Sequence, residues 1–180
     1  LRELAAHLGS DVSFFLGRSP YAIGRGRGER CEELAGDVPT LWHVVVAPGI
    51  PLSTPEIYAQ FDAGSGDLTR RAPSITIPVH ALRNGSIDEL ATGLLNELEP
   101  AAIRRCPTLQ EIHAILREHS AVAALVSGSG SAVFGLYRSQ FSAQQAAAQL
   151  RGRCPASWRI VVTATAHAPV TPIQDIQPHA

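Results

Sequence analysis

The sequence predicts an α+β chain whose larger part, residues 41–180, is a ferredoxin-like sandwich. Three observations carry this. The apolar run LWHVVVAP, closed by Pro48-Gly49, reads as a buried strand. Two capping-box signatures, Ser86 with Glu89 and Thr108 with Glu111, open helical patterns after it. Two further strand-like runs, 121–126 and 131–137, then precede a helix and a last strand, WRIVVTATA. The order β, helices, β, β, α, β is that of a split βαβ sandwich.

The elements follow in chain order. Leu1, Leu4, Ala5 and Leu8 fall on one helical face, with Arg2, Glu3 and His7 opposite, and Gly9 stops the helix. No capping residue precedes this pattern and the chain holds no methionine, so the sequence reads as a piece of a longer protein. Short strands are expected at 14–16, 21–24 and 32–34. GDVPT marks a boundary, and the first 40 residues form a separate part. Thr54 is expected to cap a helix with Pro55 in its first position, where a missing N–H costs nothing. Residues 63–85, with their Gly, Ser, Asp and Pro, read as loop. Ile87, Leu90, Ala91, Leu94 and Leu95 line one face of the next helix. Ser142 and Gln145 form a further box, opening a helix that runs to Leu150. The tail from Ala168, with Pro169, Pro172 and Pro178, reads as loop.

Composition excludes several classes of function. Hydrophobic residues are 45% of the 180, enough for a core, and the net charge is −1. No basic field draws such a chain to nucleic acid or an acidic surface. No run approaches membrane-spanning length and no signal peptide opens the chain. Cys31, Cys106 and Cys154 are odd in number and far apart, which fits free thiols in the cytoplasm. The seven histidines are dispersed, and no metal held by this chain alone is expected.

Three stretches carry possible chemistry. In LGSDVSFF, Asp11 follows a helix end. It reads either as a turn aspartate bonding its own backbone or as a general base at the lip of a cleft. In GRGRGER, clustered Arg25, Arg27 and Arg30 read as exposed arginines on a glycine-permitted turn. The rival reading, a nucleic-acid contact, lacks aromatic residues for base stacking. Between two apolar runs stand Ser127, Gly128, Ser129, Gly130 and Ser131. A hairpin needs fewer small residues, and glycines let a backbone approach a neighbour closely. This stretch reads as a ligand or domain-contact loop, against the alternative of a flexible turn.

Taken together, LGSDVSFFLG, AIGRGRGE, APGIPLSTPEIYAQFD, LLNELEPAAI and LVSGSGSAVFGLY resemble, in this order, the GHMP kinases. Within that family the likeness is to the members that act on a CDP-linked methylerythritol. The resemblance implies a GHMP-kinase fold, with residues 1–40 the remnant of an N-terminal catalytic half and 41–180 a ferredoxin-like C-terminal domain. It implies transfer of the γ-phosphate of ATP to the 2-hydroxyl of CDP-methylerythritol, in the non-mevalonate route to isoprenoid precursors. Asp11 matches the family's catalytic aspartate, and Tyr58 matches an aromatic residue near the cytosine. Residues 127–131 match its third glycine-rich motif, at the cleft between the halves. ATP and Mg would be bound mainly upstream of Leu1, by a glycine-serine loop and a catalytic lysine, so the isolated chain is expected to be inactive. Ser13 stands where the family usually has proline. The partner implied is a small molecule, with no nucleic acid, no membrane and no assigned oligomeric state. Two alternatives stay open: another small-molecule GHMP kinase, or a non-enzymatic ferredoxin-like module binding a ligand or RNA.

Overall fold

A computed structural model of the chain describes residues 2–9, 11–26, 28–64 and 74–166. The expected tail from Ala168 lies outside the described residues, as do Arg27 and residues 65–73. The chain divides into two compact units, Leu1–Thr40 with Thr165–Ala180, and Leu41–Ala164.

The first unit opens with α1 (Arg2–Leu8) and α2 (Val12–Phe15), followed by an antiparallel hairpin of β1 (Ala22–Arg25) and β2 (Arg30–Glu33). The strand expected at 14–16 is instead the end of α2. A short apolar run does not distinguish strand from helix by periodicity. Here the rings of Phe14 and Phe15 meet edge-on, with centroids 5.3 Å apart. Adjacent residues of a strand would point to opposite faces. Further along, the Tyr21 hydroxyl donates to the Pro39 carbonyl (3.0 Å) and shares a hydrogen bond with the Thr165 hydroxyl (2.8 Å). Burial raises its pKa above the usual tyrosine value, an effect the Thr165 bond partly offsets.

The second unit runs β3 (Trp42–Ala47), α3 (Thr54–Gly64), α4 (Thr76–Asn84), α5 (Ile87–Gly93), α6 (Glu99–Arg105) and α7 (Thr108–Glu118). It continues with β4 (Ala123–Val126), β5 (Val133–Tyr137), α8 (Gln140–Arg153) and β6 (Arg159–Ala164). Its sheet has the order β4-β5-β3-β6 with antiparallel neighbours throughout, so the unit's first strand sits between its third and fourth. That is the ferredoxin-like order expected from the sequence.

Two helices lie where the sequence suggested none. Residues 63–85 contain α4, and α6 begins within LLNELEPAAI and runs on to Arg105. For residues 63–85, prolines contributed to the loop reading. Pro78 is the third residue of α4 and Pro100 the second of α6. The first N–H groups of a helix have no intrahelical partner, so proline there removes no bond.

The caps also differ in detail. Thr108 lies inside α7, which makes no side-chain cap bond. The box of α8 is Ser139 with Ser142, each hydroxyl accepting the other's backbone N–H. Ser86 does accept from Glu89 N (3.3 Å), but the Glu89 carboxylate turns to His80 at 2.8 Å. That helix ends at Gly93, leaving Leu94 and Leu95 beyond it.

One sheet face carries the core. Val44, Val46, Val126, Val133, Tyr137 and Ile160 pack with Ile57 of α3, Leu109, Ile112 and Leu116 of α7, and Leu150 of α8. Along α8, Ala143, Ala146, Ala147 and Leu150 recur at helical spacing, and the three alanines let this helix lie close to the strands. Among the described residues no helix is long and apolar enough to cross a membrane.

Candidate active-site loop

The register of the sheet places the serine-glycine stretch. Val46, near the end of β3, pairs with Val133, the first residue of β5. The turn between β4 and β5 therefore lies at the end of the sheet where the chain leaves β3 for α3. The turn closes on itself: Ser127 N donates to the Ala132 carbonyl (2.8 Å) and Gly130 N to the Ser127 carbonyl (2.9 Å). Gly128 and Gly130 have φ of +56° and +89°, a region that residues with a Cβ rarely adopt. Gly130 is also crowded, since a Cβ there would lie 2.9 Å from Leu52 Cδ1.

Side chains from two other segments hold this loop. Thr54, the first residue of α3, shares a 2.8 Å hydrogen bond between its hydroxyl and that of Ser129. This corrects the expectation that Thr54 is the cap. Ser53 holds the cap position, its carbonyl accepting from Ile57 N at 3.0 Å. From the segment before α6, Asn96 Nδ2 donates to the carbonyls of Val126 and Gly128, both at 2.8 Å. Its Oδ1 accepts from Leu98 N at 3.0 Å, which fixes the orientation of the amide. Glu99 Oε2 accepts from Val126 N at 2.7 Å. His113 Nε2 lies 3.3 Å from the same carboxylate oxygen, within ion-pair reach but without hydrogen-bond geometry.

Tyr58 is four residues beyond Thr54 on α3, so both lie on one face of that helix. Tyr58 is 52% exposed, whereas neighbouring Ile57 is fully buried. The structure thus brings together the helix bearing Tyr58 and the loop of Ser127, Gly128, Ser129, Gly130 and Ser131.

Asp11 belongs to the first unit. It is exposed and precedes α2, where its carbonyl accepts from Phe14 N (3.2 Å) and its carboxylate makes no capping bond. Two residues on, Ser13 is buried and its hydroxyl has no hydrogen-bond partner among the described residues. Such a slot suits an apolar ring better than a hydroxyl. In the β1–β2 hairpin, Arg25 pairs with Glu32 (3.5 Å) and Arg30 with Glu29 (3.8 Å), all at the surface or close to it. Cys31, Cys106 and Cys154 are free thiols. No group of three metal-ligating side chains converges among the described residues.

Thr54, Asn96 and Glu99 had no assigned role in the sequence reading of the site. The signal was present in LLNELEP, where Asn96 and Glu99 stand three apart ahead of proline. What they hold is 27 to 75 residues away in the chain, and periodicity does not report that.

Residues 79–156, from α4 to just past α8 and including this loop, match the family model described as GHMP kinases C terminal. The chain carries a GHMP kinase C-terminal domain. It is 38% identical over 160 residues to a 4-diphosphocytidyl-2-C-methyl-D-erythritol kinase of Syntrophus aciditrophicus (strain SB), covering 89% of this chain and 53% of that protein. A kinase of the same name from Pelotomaculum thermopropionicum is 41% identical over 151 residues, covering 84% of this chain and 51% of the relative. The crystal structure of a 4-(cytidine 5'-diphospho)-2C-methyl-D-erythritol kinase superposes with a TM-score of 0.70 at 34% identity, covering 91% of this chain and 56% of that one. The chain spans about half the length of the curated relatives it matches.

Proposed function

We propose that the protein carrying this chain transfers the γ-phosphate of ATP to the 2-hydroxyl of CDP-methylerythritol, in the cytoplasm, as a step toward isoprenoid precursors. The observation that carries the reading is the tethered loop of residues 127–131 at the start of α3, with Tyr58 exposed one helical turn further along. Similarity to kinases of that name over most of the chain supports it.

Each residue then has a task. Asp11 is the general base, its exposed carboxylate accepting the proton of the attacking hydroxyl. The Tyr58 ring stacks on the cytosine. The loop backbone, kept small by its glycines, closes on the ligand. Residues 1–40 belong in this reading to the catalytic half and 41–180 to the C-terminal domain. The residues described here do not build a site for ATP or Mg. The glycine-serine stretch lacks the lysine of a phosphate loop, and all fifteen Lys+Arg residues are arginine. We assign both groups to residues outside these 180, and no step is routed through them.

The deciding experiment offers the intact gene product ATP with CDP-methylerythritol, and separately with mevalonate and homoserine. The product is followed by phosphorus NMR. Preference for the cytidine substrate by about 100-fold or more in kcat/KM supports the reading, since one well-recognised group discriminates on that scale. Preference for another alcohol makes it a different small-molecule kinase of the family. Absence of phosphoryl transfer to any of them removes the enzyme reading and leaves a binding module.

A further inference from the structure

We propose that Asn96 is a positioning residue for this phosphoryl transfer, acting with Thr54 and Glu99 to hold the loop of residues 127–131 in one conformation. The inference rests on the kinase reading above for its chemistry, but not for its geometry.

The geometry begins in the strand. Ser127 bonds Ala132 across the β4–β5 ladder, and antiparallel pairs alternate between bonded and non-bonded. The next pair, Val126 with Val133, is therefore the non-bonded kind. Its consequence is that the N–H and carbonyl of Val126 point away from β5. Glu99 accepts the first at 2.7 Å and Asn96 donates to the second at 2.8 Å. Had the purpose been only to satisfy this strand, both side chains could stop there. Asn96 does not stop there. Its second contact, at 2.8 Å, reaches past the strand to Gly128, inside the loop.

The loop needs such a hold. Two glycines with positive φ within three residues leave the backbone many alternatives when free. Three restraints remove them: Asn96 on the Gly128 carbonyl, Thr54 on the Ser129 hydroxyl, and the approach of Gly130 to Leu52. Each restraint falls on a different loop residue, in sequence order 128, 129, 130. A catalytic loop displaced by about 1 Å can lose on the order of 100-fold in rate, so restraint at this level bears on turnover.

Asn96→Asp separates positioning from mere folding. The carboxylate keeps the acceptor that Leu98 N uses but loses both donors. It also places an anionic oxygen against two carbonyls. In the intact gene product with ATP and CDP-methylerythritol, we expect kcat to fall roughly 10- to 100-fold, with substrate KM within threefold and Tm within a few degrees. Backbone amides of residues 128–131 should exchange with solvent at least about tenfold faster, as loss of a local restraint allows. Thr54→Val is the second variant, isosteric and without the hydroxyl, with a smaller effect in the same direction on both readouts. A kcat within twofold of wild type in both variants overturns the proposal, as does unchanged loop exchange. Should the wild type itself show no phosphoryl transfer, the kinase reading falls, and the exchange measurement alone decides whether Asn96 holds the loop.

Discussion

The hydroxyls of Thr54 and Ser129 lie 2.8 Å apart, although 75 residues separate them in the chain. One opens the helix that carries Tyr58, and the other sits at the middle of the serine-glycine loop. A single contact thus ties together the two second-unit segments given a binding role, and each can be tested separately.

Gly130→Ala should destabilise the chain by about 1–2 kcal/mol, the order of cost for an L-residue in the left-handed region. Its φ is +89° and the new methyl would crowd Leu52. Gly128→Ala should cost less, because no atom lies within 4 Å of a Cβ placed there. Urea denaturation of the two variants gives the order; a less stable Gly128→Ala would contradict it.

Replacing Asp11 by Asn keeps the size of an exposed side chain that makes no capping bond, so the fold should be unaffected. Turnover of the intact gene product should fall by roughly 100-fold or more, the effect of losing a general base. Near-normal turnover would take the base role away from Asp11.

For Tyr58→Ala, the expected change is in substrate binding. A stacked base is worth about 1–3 kcal/mol by alanine substitution, so KM for the cytidine substrate should rise roughly 5- to 100-fold with kcat little changed. Because the residue is already 52% exposed, stability should hardly move. An unchanged KM would retire the stacking role.

His43, in β3, meets the ring of Phe134 edge-on at 5.8 Å, and burial holds its pKa below the ordinary 6.5. The unfolded chain therefore takes up a proton at a pH where the folded chain still refuses it. Stability from this site is complete above pH 6.5 and is lost as pH falls through that value toward the lower folded pKa. Denaturation at pH 7.5 and pH 5 should show a smaller loss for His43→Gln than for wild type. Equal losses would place the acid sensitivity elsewhere.

What was legible in the sequence was whatever signals itself locally. LWHVVVAP and WRIVVTATA have the length and β-branched content of strands, and they became β3 and β6. The turn of small residues between two apolar runs became the β4–β5 connection. The first turn of α2 was too short for its period to speak. Pro78 counted toward a loop because position within a helix decides what a proline does, and that position was unknown. At the site, Tyr58 came from a resemblance alone, whereas Asp11 and the serine-glycine stretch also stood out by their own residues, each with a rival reading left open. Asn96 and Glu99 act through hydrogen bonds to distant backbone, which leave no trace in spacing.

The outward groups of Val126 have one more implication. β4 is the outermost strand at one end of its sheet, and such strands invite a neighbouring molecule to add its own backbone. Here Glu99 and Asn96 occupy Val126, while Arg117 donates to the Val122 carbonyl at 3.2 Å. Two points of that margin are thereby taken, which hinders intermolecular strand exchange. A protein stripped of these side chains would be prone to stick to its own copies, a failure of solubility quite apart from any loss of turnover.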